Sequence, residues 1–330
     1  MVLARASVVD YDTAHVAHMN DTPKVSVIIP TYNRSTLVRR AIDSVLAQTM
    51  QDLEIIVVDD ASTDGTGAMI QKVYRDPRVR YEHLPTNQGV HAARNRGLDL
   101  SCGEYIVFLD SDDEVFPHAL ERMLVAIKRD PAFGMVGAPY RLDDGALTGF
   151  ERVEDCEIPF VDLLCQRGTR SNKSGLALLS RSAIGDTRFA GKNLDFIFYR
   201  TVASRTRFWY IIEPLGAYHL DADAASMTRA RKIPNPGLSI VRARATADFL
   251  DAFGSTMMAG CPSLFGFYAY GAAVGLLLAG DTRARTYAWQ AARCQPRAKY
   301  ILFCCFAFVP YASWMLWRLF SIRIALRRVL

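Results

Sequence analysis

The sequence contains no C-x-x-C pair, although it has seven cysteines, and no His stands at ligand spacing from Cys102, Cys156, Cys165, Cys261, Cys294, Cys304 or Cys305. That excludes a zinc ribbon and argues against a disulfide framework, so the seven are expected to be reduced core thiols in a cytosolic compartment. The first twenty residues carry Asp and His and lack a long apolar core, so no signal peptide is visible. Gly65 and Gly67 lack the third glycine of a dinucleotide fingerprint and sit at the wrong spacing from the preceding strand. Neither sign of charge dominates: 39 Lys and Arg against 34 Asp and Glu leave a net charge of +5, and no nucleic-acid partner is expected. What is present is the material of a folded chain. Hydrophobic residues make up 50% of its 330 positions, enough for one large or two ordinary domains.

The chain is organised around Glu104 to Pro117, EYIVFLDSDDEVFP. An apolar run, Tyr105 to Leu109, ends directly in Asp110, Asp112 and Asp113, three carboxylates that repel one another. Taken alone, this is equally a solvated acidic turn before a helix that begins near Pro117. Hard oxygen ligands at alternating positions also suit magnesium or manganese, which keep waters and bind through one or two carboxylates plus substrate phosphates.

Upstream, strand, loop and helix recur. Val25 to Ile29 reads as a buried parallel strand ended by Pro30, followed by Thr31, Tyr32, Asn33 and Arg34 and then a helix over Leu37 to Gln48. Glu54 to Val58 repeats the plan, with Asp59 and Asp60 at its carboxyl end and Ser62 or Asp64 as cap of a helix from Thr66 to Tyr74. The carboxylate of Asp60 suits the imide N–H of a pyrimidine base. Val79 to His83 is a third strand, and Gly89 turns the chain into a helix carrying Arg94 and Arg96. Arg94 is suited to phosphate oxygens at a helix start, whereas Arg96 reads as a surface residue. In open α/β sheets ligands sit outside the carboxyl ends of the strands, which is where these loops lie.

VSVIIPTYNR, EIIVVDDASTDGT, NQGVHAARNRGL and GEYIVFLDSDD, in that order, resemble the successive motifs of family 2 glycosyltransferases with the GT-A fold, over roughly residues 24 to 220. The resemblance implies an α/β fold, a Rossmann-like mixed sheet flanked by helices, with Mn2+ or Mg2+ as cofactor and sugar transfer with inversion. It also implies a donor site formed by Pro30, Thr31, Tyr32, Asn33, Asp60, Arg94, Asp110 and Ser111. Tyr32 would stack near the base, Asp60 contact it, Arg94 approach the diphosphate, Asp110 lie near ribose and metal, and Asp112 ligate the metal directly, with Asp113 behind it. Inverting transfer needs a carboxylate to take the acceptor proton. Family members commonly have Glu-Asp before an aromatic-rich helix; here Leu194 replaces the Glu and Asp195 fits the base, with Asn193 and Asp186 as neighbouring alternatives. Residues 139 to 157 are expected to form a hairpin or loop over the site, and Gly175 to Leu179 and residues 208 to 219 read as strands. His219, ahead of a polar run to Lys232, reads as a surface residue or as a further metal ligand.

Three regions follow: a 1–23 extension, a 24–232 catalytic domain (24–113 binding the nucleotide sugar, 114–232 the acceptor) and a 233–330 helical region entered through the PNPG linker at 234–237. Residues 252 to 280 and 300 to 317 carry no charge. The first stretch is rich in glycine and reads as buried helix. Residues 300 to 330, with Tyr311, Trp314 and Trp317 ahead of Arg318, Arg323, Arg327 and Arg328, read as an element lying on or crossing the cytoplasmic face of the inner membrane. The expected activity is therefore transfer from a UDP-sugar to a polyprenyl-diphosphate-linked oligosaccharide in exopolysaccharide or surface polysaccharide synthesis. A processive synthase usually bears Q-x-x-R-W, whereas the nearest stretch here, Gln290 to Cys294, ends in Cys. A non-catalytic sugar-nucleotide binder is the remaining alternative.

Overall fold

The computed structural model describes residues 22–170, 175–190, 194–219, 236–308 and 315. The first half is built as the periodicity predicts. Strands β1 (Val25–Thr31), β2 (Leu53–Asp59), β3 (Val79–His83) and β4 (Tyr105–Phe108) alternate with helices α1 (Leu37–Leu46), α2 (Thr66–Val73) and α3 (Val90–Leu100). The four strands run parallel in the spatial order β3-β2-β1-β4.

The chain continues through β5 (Glu114–Val115), α4 (Ala119–Ile127), β6 (Phe133–Ala138), β7 (Tyr140–Leu142), β8 (Cys156–Ile158), α5 (Phe160–Cys165), β9 (Leu176–Ser180), α6 (Arg181–Ile184), α7 (Asp195–Ala203), β10 (Arg207–Tyr210) and β11 (Gly216–Tyr218). β9 inserts antiparallel between β4 and β6, completing an eight-stranded mixed sheet, β3-β2-β1-β4-β9-β6-β10-β8. A small second sheet, β5-β11-β7, stands apart from it.

Strands covered on both faces must be apolar at every position, and β1 shows why. Val25, Val27 and Ile29 enter one core with Val38 and Ile42 of α1 and Leu120 and Met123 of α4. Ile28 enters the other, with Phe108, Leu179 and Phe198. The sheet is thus sandwiched between helical layers, and the expected α/β class holds.

Several boundaries differ from expectation. β1 runs through Pro30 to Thr31 instead of stopping before the proline. The carbonyls of Lys24 and Ile28 accept from β4, whereas that of Thr31 accepts from Asp60, so by alternation the missing N–H of Pro30 faces the β4 side. There the pairing ends at Ile28 and Phe108, and a residue without an N–H cannot supply the next rung. Glu114 and Val115 pair with Ala217 and Gly216, a strand too short to give a periodic signal, and the helix expected near Pro117 starts at Ala119. The stretch 139–157 does fold back on itself, through a bridge between Arg141 and Leu147, but ends as an edge strand of the main sheet.

Four further helices, α8 (Pro236–Gly260), α9 (Pro262–Leu278), α10 (Arg283–Cys294) and α11 (Ala298–Ala307), share their own core, which includes Leu250, Phe265, Ala273, Tyr287 and Tyr300. Pro236 and Gly237 open α8 instead of acting as a linker. Phe196 of α7 packs on Phe249 and Tyr268, and Phe160 of α5 on Phe253, so these helices dock on the second half of the main domain. No helix among the described residues is long and apolar enough to cross a membrane. The 309–314 and 316–330 stretches, with their tryptophans and arginines, lie outside the described residues.

The cysteines need a correction. Cys165 and Cys261 are joined as a disulfide that ties the end of α5 to the junction of α8 and α9, while Cys102, Cys156, Cys294, Cys304 and Cys305 are free. A pair 96 positions apart is brought together by the helical docking, which spacing cannot reveal.

One contact sets the depth of α3. A Cβ at Gly97 would lie 2.3 Å from Cγ2 of Ile28, so only glycine lets this helix press onto β1. Gly97→Ala is expected to cost about 1–3 kcal/mol through overpacking. Urea denaturation checks this, and an unchanged midpoint would contradict the close approach.

Candidate functional site

Strands β1, β2 and β4 all end at one edge of the sheet, and the loops that leave them are fixed by side chain to backbone bonds. Asn33, at φ 50°, is held by the hydroxyl of Ser62, which accepts its N–H at 2.8 Å, while its own carboxamide oxygen accepts the N–H of Thr63 at 2.8 Å. Asn tolerates the left-handed region, which explains its use here. Asp60 is buried, and its two carboxylate oxygens accept the N–H groups of Gln88 and Gly89, each at 2.7 Å. This carboxylate fixes the turn that starts α3, where Gly89 takes φ 93°. Thr31 is buried behind these loops, whereas Tyr32 is 44% exposed above them and available to a planar partner.

The acidic turn after β4 is met by arginines. Arg34 pairs with Asp112 at 2.8 Å and also donates to the hydroxyl of buried Ser111 at 3.3 Å, while Arg40 donates to the carbonyl of Asp112. Asp113 lies beneath, buried, with one carboxylate oxygen lacking any hydrogen-bond partner. Burial first, and then the charges of Asp110 and Asp112, push its carboxyl up to about 9, so it is protonated at neutral pH.

Among the described residues no three His, Cys, Asp or Glu side chains form a closed metal cage. The donor set nevertheless fits a hydrated Mg2+ or Mn2+, which needs only one or two carboxylates beside a phosphate. The orphaned oxygen of Asp113 lies beside Asp110 and Asp112, where a cation would offset the three clustered carboxyl groups.

Arg94 carries the central geometry. Its side chain is almost fully buried, yet it donates to Asp110 at 2.6 Å and to Asp195, which is 101 positions away in sequence. The expected donor-side acid and the expected base therefore meet on one guanidinium. Burial would lower the pKa of Arg94, but Asp110 and Asp195 outweigh it and keep the group charged. His91 completes the arrangement: its Nε2 lies 3.0 Å from Oδ1 of Asp195, and its ring packs 5.2 Å from that of Phe189. Burial alone would raise the pKa of Asp195; the His91 hydrogen bond and the Arg94 charge reverse this and hold it well below the usual carboxylate range.

His91 and the pairing role of Arg34 were not assigned from sequence. The signal for His91 was its spacing, since positions three apart share a helix face and His91 precedes Arg94 by three. Leu194, in the place where Glu is usual, is buried in the core. Asp186 is exposed, and Asn193 lies outside the described residues. His219 is neither a free surface residue nor part of the acidic turn: it sits between Asp143, at 3.0 Å, and Glu114, at 3.4 Å.

Residues 26–186 match the family described as Glycosyl transferase family 2. The chain carries a family 2 glycosyltransferase domain. The chain is 42% identical over 114 residues to an uncharacterized glycosyltransferase, YibD, of Escherichia coli K12. It is 45% identical over 105 residues to the GalNAc(5)-diNAcBac-PP-undecaprenol beta-1,3-glucosyltransferase of Campylobacter jejuni. These alignments cover 34% and 31% of this chain, and the chain spans only about a third of those relatives' length, 33% and 34%. The fold is shared more widely. The crystal structure of Staphylococcus aureus TarS 1–349 with UDP-GlcNAc aligns with TM-score 0.62 at 18% identity, covering 86% of this chain and 90% of that chain.

The electrostatics of Asp195 set an acid limit. A carboxyl lowered in the folded state contributes stability that is full above its unfolded value of about 4 and is lost as pH falls through the lower folded value. Asp195→Asn is therefore expected to be less stable than the parent at pH 7, with the difference shrinking below about pH 4. Thermal melts across that range measure it, and a gap that stays constant with pH would contradict the Arg94 and His91 clamp.

Proposed function

We propose that this glycosyltransferase moves a sugar, with inversion, from a UDP-sugar to a hydroxyl of a lipid-linked oligosaccharide. The observation that carries the reading is Arg94 bridging Asp110 and Asp195, which puts a diphosphate-binding cation between the donor side and a candidate base. Asp195 is the acceptor base. Clamped by Arg94 and His91 it is weakly basic; a diphosphate that draws Arg94 toward itself removes a positive charge from Asp195 and raises its basicity. Donor binding and base activation are thereby linked through one side chain. Tyr32 stacks on the uracil, and Asp60 keeps a second lone pair on each oxygen with which to meet it. Asp112 and Asp110 would hold Mg2+ or Mn2+, which would supply positive charge opposite a diphosphate.

The UDP-GlcNAc complex of TarS supports a UDP-linked donor, and the C. jejuni relative, named for a PP-undecaprenol acceptor, supports a polyprenyl-diphosphate-linked one. Such an acceptor requires work at a membrane surface on the cytoplasmic side, as in exopolysaccharide assembly. The outer side of α11 supports this: Ile301 and Leu302 on the helix and Phe308 just past its end are exposed large apolar residues, Leu302 at 70%.

Incubation with manganese and a panel of UDP-, GDP- and dTDP-sugars, following slow donor hydrolysis, is expected to single out a UDP-sugar, with chelation weakening its binding. Asp195→Asn should then lower turnover by about 10²–10⁴-fold while leaving donor affinity equal or higher, because Arg94 is released toward the diphosphate. Full turnover in that variant removes Asp195 as the base. For the surface reading, vesicles containing anionic lipid are expected to float the parent protein and to float Leu302→Asp less well; equal flotation excludes α11 from the contact.

A further inference from the structure

A cavity of about 170 Å³ lies between the sheet and the helices α5 and α7, walled by Phe150, Phe196, Tyr199, Phe208 and Tyr210. Arg200 also lines it. This arginine is 4% exposed, yet among the described residues no carboxylate pairs with it. Its Nε donates to the carbonyl of Leu163 at 3.2 Å, its guanidinium lies 5.0 Å from the centre of the Phe196 ring, and Tyr268 lies close enough to act on its charge. Its Nη1 is buried with no partner. A guanidinium has five N–H donors and cannot shed its charge, so one shut away from water without an anion is costly. An anion supplied by a ligand would meet that cost.

The position of the cavity says which ligand. Asp195 and Tyr199 are one helical turn apart on the same face of α7. Tyr199 lines the cavity and also feels the charges of Arg94, Asp195 and Asp110. One wall of the cavity therefore adjoins the acidic cluster. The space suits a single sugar ring, with aromatic side chains for its C–H faces and few polar groups to orient it.

We propose that this cavity binds a sugar unit of the acceptor that bears an oxyanion, a carboxylate or a phosphate ester, and that Arg200 is the group that recognises it. The proposal rests on the reading of Asp195 as the acceptor base and adds the chemical class of the acceptor. The guanidinium supplies a planar pair of donors matched to two oxygens of one anion, a geometry that a neutral hydroxyl cannot exploit.

Ligand-observed NMR with glucuronate, glucose 6-phosphate and glucose tests it on the full chain. At least one of the two anionic sugars is expected to bind about ten- to a hundredfold more tightly than glucose, the range of a charge-assisted bond. The preferred anion separates a carboxylate from a phosphate acceptor. Arg200→Met should abolish that preference while keeping UDP-sugar affinity and leaving the melting temperature equal or higher, because an unpaired buried charge has been removed. An arginine that only ties α5, α7 and α9 together would instead lower the melting temperature and leave sugar preference untouched. If Arg200→Met does not fold, Arg200→Lys keeps the charge without the planar fork and should bind the preferred anion at least about tenfold more weakly. No preference for either anion in the parent, or a preference that survives both substitutions, overturns the proposal. Loss of the transferase reading would look different: no UDP-sugar binding, or full turnover by Asp195→Asn, whatever the sugar preference.

Discussion

One buried guanidinium governs the arrangement. Arg94 leaves α3 and meets Asp110 at the end of β4 and Asp195 at the start of α7, joining two halves of the chain that share no local sequence logic. A cation so enclosed cannot be left unpaired, and two partly exposed carboxylates cannot approach this closely without it. The rest of the domain serves that meeting. Gly97 lets α3 sink onto β1, Asp60 fixes the turn from which α3 starts, and β9 inserts beside β4 to bring the second half alongside. The same dependence gives Asp195 its low pKa, so fold, electrostatics and proposed chemistry share one origin.

Much of the first half was legible because its signals are local. A strand buried on both faces is written as an unbroken apolar run, and β1, β2 and β3 appear within two residues of the expected limits. The acids at the strand ends were likewise readable, as was Asp195 at the start of an aromatic helix. What could not be read depends on where distant segments land. Asp60 read as an acceptor for a base, and its sequence context carried no sign that both oxygens hold backbone amides of a loop 28 and 29 positions later. The antiparallel entry of β9, the two-residue β5 and the joining of Cys165 to Cys261 leave no period in the chain. His91 had a spacing signal, but its meaning required knowing that α7 lies opposite.

The helical region is more than an appendage. Its aromatic residues Phe249, Phe253 and Tyr268 meet Phe196 and Phe160, so the wall of the Arg200 cavity is supported from outside by α8 and α9. Through these contacts and the tie between Cys165 and Cys261, any force on the terminal helices reaches α5 and α7 directly. A surface that attracts α11 would thus act on the same helices that hold the proposed base.

Pro30 gives the molecule its opening. Side by side, β1 and β4 could go on zipping upward, and in their register further rungs would set Asp110 opposite Pro30 and Ser111 opposite Thr31. An imino acid at that step offers no hydrogen to the neighbour, and the seam stops three residues short of the top of β1. The mouth of the site is in this sense held ajar by a single absent proton, fixed when the chain is made and independent of anything bound there.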